Sequence, residues 1–456
     1  MKIFDSHLGA KVELEPVSGG IDVGFYVCGP TVYDSAHLGH GRSAVSFDVM
    51  RRYFIYKGFN VKYVSNYTDI DDKMINRAKE EGITVPELAA KVIPEYERDY
   101  GLLNILKPDV QPLATEHIEE MVDIIKLLEE GGYTYMISDG VYFDISKFPA
   151  YGEFSGQNLN ELQMGSRVEI KDEKRNPQDF VLWKLKKEGE PFWASPWGDG
   201  RPGWHIECSA MSRKHLGDTF DIHGGGLDLK FPHHECEVAQ SVCALGVGTF
   251  SKYWMHNGFI QVDNEKMSKS LGNFFTLKDI FKKYDPQVVR FMFLQTHYRN
   301  PINFSDVLLE QAKAGLTRIH DFVRRLKGDE GNAELSSLIN VAREGFEKSL
   351  DDDFDTSGAL GSVFELVRAV NVLMNNDEFN SGSLVLDFLK NVDEVFAVLL
   401  HDKDENLGDD IESLIKEREE ARKNKDFATS DRIRDDLLEK GIVLEDTSDG
   451  TIWKRV

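Results

Sequence analysis

The chain of 456 residues is 41% hydrophobic and 29% charged, the composition of a globular protein with about three domains at the usual ~150 residues each. Its formal net charge of −24 excludes broad, non-specific attraction to nucleic acid and leaves room only for a small, selective, salt-sensitive site. Four cysteines, Cys28, Cys208, Cys236 and Cys243, do not make a disulfide framework, and no run approaches the ~18 apolar residues that span a bilayer, so a reduced, cytoplasmic protein away from membranes is expected.

Gly24 to Val27 reads as a buried strand ending at Cys28-Gly29-Pro30. Residues 41–57, with Val45, Phe47, Val49, Met50, Tyr53 and Phe54, read as a largely buried helix stopped at Gly58, and Val61 to Val64 as a second strand. Strand, helix, strand at this spacing predicts a parallel βαβ unit, with ligands beyond the carboxyl ends of the strands. Residues 116–130 predict an amphipathic helix, and Tyr133 to Ile145 a hairpin turning at Asp139-Gly140. Trp204 to His215 and His233 to Leu245 predict helices, with a short strand at Phe220 to Ile222 before Gly224-Gly225-Gly226. Helices near 305–326, 334–348, 355–375 and 383–400 suggest a bundle. The tail predicts two helices and a final strand-like stretch.

The expected fold class is therefore α/β: a Rossmann-like parallel-sheet catalytic domain with an insertion, then an α-helical bundle and a small C-terminal domain. The expected boundaries are 1–110 and 201–250 for the two catalytic halves and 111–200 for the insertion. A linking segment covers 251–304, the bundle 305–401 and the C-terminal domain 411–456, after an acidic linker at 402–410.

Two short clusters carry chemistry. His37-Leu38-Gly39-His40 sets two imidazoles three residues apart at the mouth of a helix, where they and the helix amides can donate to phosphate oxygens. Lys266-Met267-Ser268-Lys269-Ser270 offers two ammonium groups on a loop able to close on a triphosphate. Taken singly, the first is also what a polar helix face shows and the second what a solvated turn shows; together they point to phosphate binding. His233 and Glu237, four apart on a predicted helix, have metal-ligand spacing, and Cys28 and Cys208 are expected to join them from strand ends. His223, His234, Cys236 and Cys243 are competing ligands, and a free cysteine is also an ordinary small buried hydrophobe.

The two ATP clusters, in this order, resemble the paired motifs of class I aminoacyl-tRNA synthetases. Cys28 to Asp34, His37 to Arg42, Gly203 to Met211, Asp221 to Gly226 with Asp228 and Phe231 to Glu235, and Gly441 to Asp446 resemble cysteinyl-tRNA synthetases over nearly the whole chain. The resemblance implies zinc, one per chain, on Cys28, Cys208, His233 and Glu237. It implies catalysis by His37, His40, Lys266 and Lys269, and ATP (with Mg²⁺) bound by Gly39, Gly224, Gly225, Asp228 and Lys269. Gly29, Thr31 and Trp204 would line the pocket for L-cysteine, and tRNA(Cys) would be the second substrate of a monomeric enzyme. Leu38 and Cys236 depart from the family's common isoleucine and asparagine; the Cys236 thiol should point about 100° away from Glu237 around the helix. Two other readings remain: a ligase that passes cysteinyl-adenylate to an amino sugar, and a zinc- and nucleotide-binding protein without catalysis.

Overall fold

The computed structural model describes residues 1–157, 173–262, 265–267, 274–375, 379–400, 409–424, 426–439, 442–447 and 450–455. The chain divides into two units, 1–400 and 401–456.

The first unit opens with a hairpin, β1 (Lys2–Asp5) and β2 (Ala10–Glu13). Strand β3 (Asp22–Val27), helix α1 (Leu38–Tyr56) and strand β4 (Asn60–Ser65) form the expected βαβ unit, followed by α2 (Asp72–Glu81) and α3 (Val85–Leu102). α1 is apolar on several sides because it is enclosed: Val45, Phe47, Met50, Tyr53 and Phe54 are all buried. An inserted layer follows, with α4 (Ile118–Glu130) and an antiparallel sheet of β5 (Thr134–Ile137), β6 (Gly140–Phe143), β7 (Phe180–Leu185) and β8 (Gly200–Pro202). The hairpin turns at Ser138-Asp139, one residue earlier than expected. Gly140 is already in the strand, where a Cβ would lie 2.2 Å from the Trp183 carbonyl.

The chain then returns to the first sheet through α5 (Trp204–Leu216), β9 (Phe220–Gly226), α6 (Glu235–Leu245) and β10 (Ser251–Asn257). The sheet order is β10-β9-β3-β4, all parallel. β3 leads outward to β4 on one side and β9 to β10 on the other. The order therefore reverses between β3 and β9, and the crevice at their carboxyl ends is where such sheets bind ligands. Cys28 and Gly224 meet there, the Cys28 amide donating to the Gly224 carbonyl at 3.1 Å.

Beyond the sheet, β11 (Ile260–Val262) pairs with β12 (Glu265–Lys266) and with β13 (Ile302–Phe304); α7 (Leu277–Phe281) and α8 (Pro286–Leu294) lie between β12 and β13 in the chain. The predicted bundle is present as α9 (Asp306–Arg325), α10 (Ala333–Asp351), α11 (Thr356–Leu373) and α12 (Gly382–Phe396). Buried Asp353 ties it to the rest of the unit, accepting from the Phe4 amide at 2.8 Å, the Tyr298 hydroxyl at 2.8 Å and Arg299 Nε at 2.7 Å. The second unit has α13 (Asp409–Lys423), α14 (Phe427–Glu439) and a hairpin of β14 (Ile442–Thr447) and β15 (Gly450–Arg455). Ile433, Leu437 and Leu444 form its small core. No helix among the described residues is long and apolar enough to cross a membrane.

Candidate active site and metal centre

Three elements deliver the thiols, imidazoles and carboxylate. Cys28 leaves the end of β3, and the next amide, Gly29, donates to Asn66 Oδ1 at 3.0 Å. Gly29 admits no larger residue, since a Cβ would stand 1.5 Å from the Asn66 carbonyl oxygen. Cys208 comes from inside helix α5, not from a strand end as the sequence reading expected: Trp204 to Leu216 is helical throughout. His233 precedes α6, in a wide turn over Lys230–His234, and the helix begins only at Glu235. That correction leaves the pairing intact, because His233 Nε2 still lies 3.0 Å from Glu237 Oε1.

The donor atoms of Cys28, Cys208, His233 and Glu237 all lie within 4.8 Å of one another. The two sulfurs are 3.5 Å apart, and Cys28 Sγ is 3.5 Å from Glu237 Oε1. Ligands at ~2.0–2.3 Å around a tetrahedral Zn²⁺ stand at about this separation, and two thiols, an imidazole and a carboxylate suit its borderline-soft character, so the residues fit the metal. His223 and His234 form a second such group with Cys28 and Glu237: His223 Nε2 is 2.9 Å from Glu237 Oε2 and His234 Nε2 is 3.4 Å from Cys28 Sγ. Cys236 stands apart, its thiol 3.4 Å from the Tyr151 hydroxyl. The Cys243 thiol interacts with Tyr133.

In this dry place Glu237 and His233 hold each other charged, and metal binding there would displace the protons of His233 and Cys28. Burial would raise the Glu237 carboxyl, but His223 and His233 hold it down to about 2. Burial works against a cationic His233 too, yet Glu237 and Cys208 lift it to about 10. Burial raises both thiols; the Cys28 thiol and His233 reverse this for Cys208, which falls to about 6, while Cys28 stays raised. Around them, burial keeps His205 and His256 neutral, at about 3. His205 Nδ1 lies 3.0 Å from His233 Nδ1, which turns the other nitrogen of His233 toward Glu237.

The candidate metal group reaches a cavity of about 350 Å³ through Cys28. Thr31, His37, His40, Trp204 and Asp228 line it together with Cys28. The Trp204 ring stacks on His233 at 4.4 Å. His37 is the N-cap of α1, and the two imidazoles cap each other's backbone. Gly39 is in the wall, where a Cβ would come to 3.0 Å from the His37 ring. Gly226 also lines the cavity, whereas Gly224 and Gly225 are not among its walls. A Cβ on Gly224 would lie 2.6 Å from the Phe47 ring, and one on Gly225 2.9 Å from His234. Their smallness is taken up by close packing behind the crevice.

Lys266 sits in β12 opposite Gln261, and its neighbour Met267 lines the cavity. Lys269 lies outside the described residues. Sequence reasoning missed three supports. Asn66 accepts from Gly29 and from the Tyr26 hydroxyl at 3.0 Å each. The Tyr96 hydroxyl lies 3.2 Å from His40 Nδ1. Arg42 joins α1 to the Phe259 carbonyl, just before β11. None has a local signature, since each acts on a residue distant in the chain.

The site's likeness to known proteins is consistent along the chain. Residues 15–314 match the family of tRNA synthetases class I (C) catalytic domain, 345–400 the DALR domain, and 404–453 the cysteinyl-tRNA ligase anticodon binding domain. The chain is 49% identical to the cysteine–tRNA ligase of Clostridioides difficile (strain 630) and 48% identical to that of Hahella chejuensis (strain KCTC 2396), with 100% of each chain covered in both cases. Among solved structures, methionyl-tRNA synthetase of Mycobacterium tuberculosis shares the fold at a TM-score of 0.59 and 13% identity, over 83% of this chain and 88% of that one. A leucyl-tRNA synthetase of Agrobacterium radiobacter K84 does so at 0.61 and 11%, over 85% of each. Helical bundle, doubly assembled parallel sheet and full-length identity agree, and the chain belongs to the cysteine–tRNA ligase family of class I aminoacyl-tRNA synthetases.

Proposed function

We propose that the protein activates L-cysteine with ATP to cysteinyl-adenylate, releasing pyrophosphate, and transfers the cysteinyl group to the terminal ribose of tRNA(Cys), releasing AMP. The observation that carries this is that Cys28, a member of the two-thiol, imidazole and carboxylate group, and Trp204, stacked on His233, line the same cavity as the paired imidazoles of α1.

Cys28, Cys208, His233 and Glu237 would hold zinc, which would supply a preference for the thiolate of cysteine over the hydroxyl of serine, a discrimination that hydrogen bonding alone makes poorly. Trp204, Thr31 and Gly29 enclose the small side chain and α-carbon. That places the substrate carboxylate toward His37 and His40, whose Nε2–H groups donate to the phosphate oxygens of ATP. Negative charge grows on those oxygens as the carboxylate oxygen bonds to the α-phosphorus and the bond to pyrophosphate breaks. Asp228 accepts from the ribose hydroxyls. Lys266 and Lys269 neutralise the departing pyrophosphate, which enters with Mg²⁺ as part of the ATP complex. The bundle and residues 411–456 take the tRNA stem and anticodon. Transfer to an amino sugar is disfavoured by the match of 404–453 to an anticodon-binding domain.

Pyrophosphate exchange into ATP with each amino acid in turn, followed by charging of tRNA, tests the reading. Exchange with cysteine and formation of Cys-tRNA are expected. Exchange without charging overturns the tRNA step, and no exchange with cysteine overturns the proposal as a whole.

A further inference from the structure

Arg42 is a buried cation with no part in the chemistry above. It lies one turn into α1 and is 1% exposed. Burial alone lowers its guanidinium, to about 10, so it stays charged at neutral pH. A cation at this depth is ordinarily paired with a carboxylate, because leaving a buried charge unpaired is costly. Here the compensation comes from main-chain carbonyls. Nη1 donates to Phe259 at 2.7 Å, and Nη2 to Tyr298 at 3.2 Å, His297 at 3.5 Å and Asn300.

Those carbonyls belong to two segments of distinct standing. Residues 297–300 are anchored independently, through the bonds of Tyr298 and Arg299 to Asp353. Phe259 belongs to the cavity wall, with Asn257, Gly258, Ile260 and Met267. The wall lies tightly against the anchor: the Gly258 amide donates to the Tyr298 carbonyl at 2.8 Å, and a Cβ on Gly258 would lie 2.6 Å from the Arg299 carbonyl. The Phe259 carbonyl immediately precedes β11, which pairs with β12 and so with the backbone of Lys266. Five residues before Arg42, His37 begins the same helix. Residues on either side of the His37 cap bond a further stretch of chain, Leu38 N to the Phe275 carbonyl at 3.0 Å and Leu277 N to the Ala36 carbonyl at 2.8 Å.

We propose that Arg42 is a positioning residue for adenylate formation: its guanidinium sets the distance between the His37–His40 pair and the opposing wall at Gly258–Ile260. The inference rests on the reading of this cavity as the ATP site. A planar fork with five donors spans carbonyls of two separate segments; an ammonium on a flexible stem does not. With the fork removed, α1 and the wall keep their own secondary structure but lose their mutual register at the phosphates.

Arg290 provides the control. It is equally buried and also bonds carbonyls, those of Phe396 and Leu103, but pairs with Asp48 and is not among the residues that line the cavity. Arg42→Met, Arg42→Lys and Arg290→Met would be compared with the wild type by cysteine-dependent pyrophosphate exchange, each rate normalised to active sites, alongside thermal melting. Arg42→Met is expected to lower kcat/KM for ATP by about 10–100-fold, the usual consequence of a misplacement near 1 Å, with KM for cysteine unchanged. Arg42→Lys should recover part of the loss. Arg290→Met should lower the melting temperature and leave the normalised constants as in the wild type. Wild-type constants in Arg42→Met, or equal kinetic losses in the Arg42 and Arg290 variants, would overturn the inference. If Arg42→Met does not fold, Arg42→Lys with unaltered ATP kinetics does the same. Failure of the wild type to exchange would instead remove the underlying reading of the site.

Discussion

His37 and His40 cap one another. The His40 amide donates to His37 Nδ1 at 3.2 Å, the His37 amide donates to His40 Nδ1 at 3.3 Å, and the rings stack with centroids 3.5 Å apart. An Nδ1 that accepts a backbone N–H carries no proton, so each ring bears its proton on Nε2, the tautomer assigned by this geometry. The capping box therefore does two things: it closes the helix end and makes each imidazole a donor at its outer nitrogen. The two roles separate in His37→Asn, whose amide oxygen still caps a helix. That variant should melt close to the wild type while its exchange rate falls by about 100-fold, as for loss of one preorganised donor. His40→Ala should lose both stability and rate, because it also abandons Tyr96.

The metal group gives a sharper contrast among cysteines. Cys208→Ala should abolish retention of zinc on dialysis, whereas Cys236→Ala should keep one zinc per chain, its thiol being engaged with Tyr151. His205→Ala leaves every ligand in place but removes the neighbour of His233 Nδ1. Zinc affinity should then fall by about 10–100-fold, the usual cost of losing an outer partner. Metal analysis after competition with a chelator measures all three. Zinc removal should also erase the preference for cysteine over serine in exchange.

These two centres show what a sequence can and cannot carry. The α1 and β3 elements are legible because their periodicity and the glycine stop are local. The sheet's second half is legible in kind but not in bounds: the strand expected over Phe220 to Ile222 runs on through the glycines to Gly226. The strand-end position expected for Cys208 fails, whereas the helix expected over Trp204 to His215 is present and carries the thiol to the site from within it. The start of α6 shifts to Glu235 because Lys230–His234 form a wide turn that no residue pattern distinguishes from a helix. Asn66, Tyr96 and Arg42 escape detection because their partners lie 37, 56 and more than 200 residues away.

The glycine run is a case where the residue type is legible and its reason is not. Gly224 faces Phe47, and a methyl there would come to 2.6 Å from the ring. Gly224→Ala should therefore destabilise by about 1–3 kcal/mol, as overpacking does. The double variant with Phe47→Leu should recover part of that loss if the clash is the cause. Denaturant melts of the single and double variants form the test; an additive pair would assign the cost elsewhere.

Asp72 links the inserted sheet to the catalytic half. Its carboxylate receives Lys184 at 2.5 Å and the buried Arg201 guanidinium. Partial burial works against the charge, but these two cations hold the carboxyl at about 2, below its ordinary 3.8. A depressed carboxyl stabilises the fold above its unfolded value and ceases to do so as pH falls through the folded one. The melting-temperature difference between wild type and Asp72→Asn should thus be constant above about pH 5 and shrink toward pH 2. Its size should be small, since the Asp72 side chain is 56% exposed and solvent screens the pair. A difference that grew on acidification would contradict the ion pair.

Two hollows on α9 and α11 share Arg318, Arg325 and Asn371, and the second adds Arg368. Lys313 and these arginines outnumber the Glu310, Asp321 and Glu365 carboxylates of the same hollows by one, a locally basic face on a chain of net charge −24 of the kind that selective binding of a polyanion requires. Arg325 is braced by Asn371, which leaves its fork oriented on the surface. Replacing Arg318 and Arg368 by glutamate should raise KM for tRNA and reduce the slope of log affinity against log salt by about 1 for each phosphate no longer neutralised. Cysteine-dependent exchange should not change, because neither residue lines the cavity shared by Cys28, His37 and His40. Charging assays over a salt series separate the outcomes: an unaltered salt slope with unaltered KM would place the tRNA on another face of the bundle.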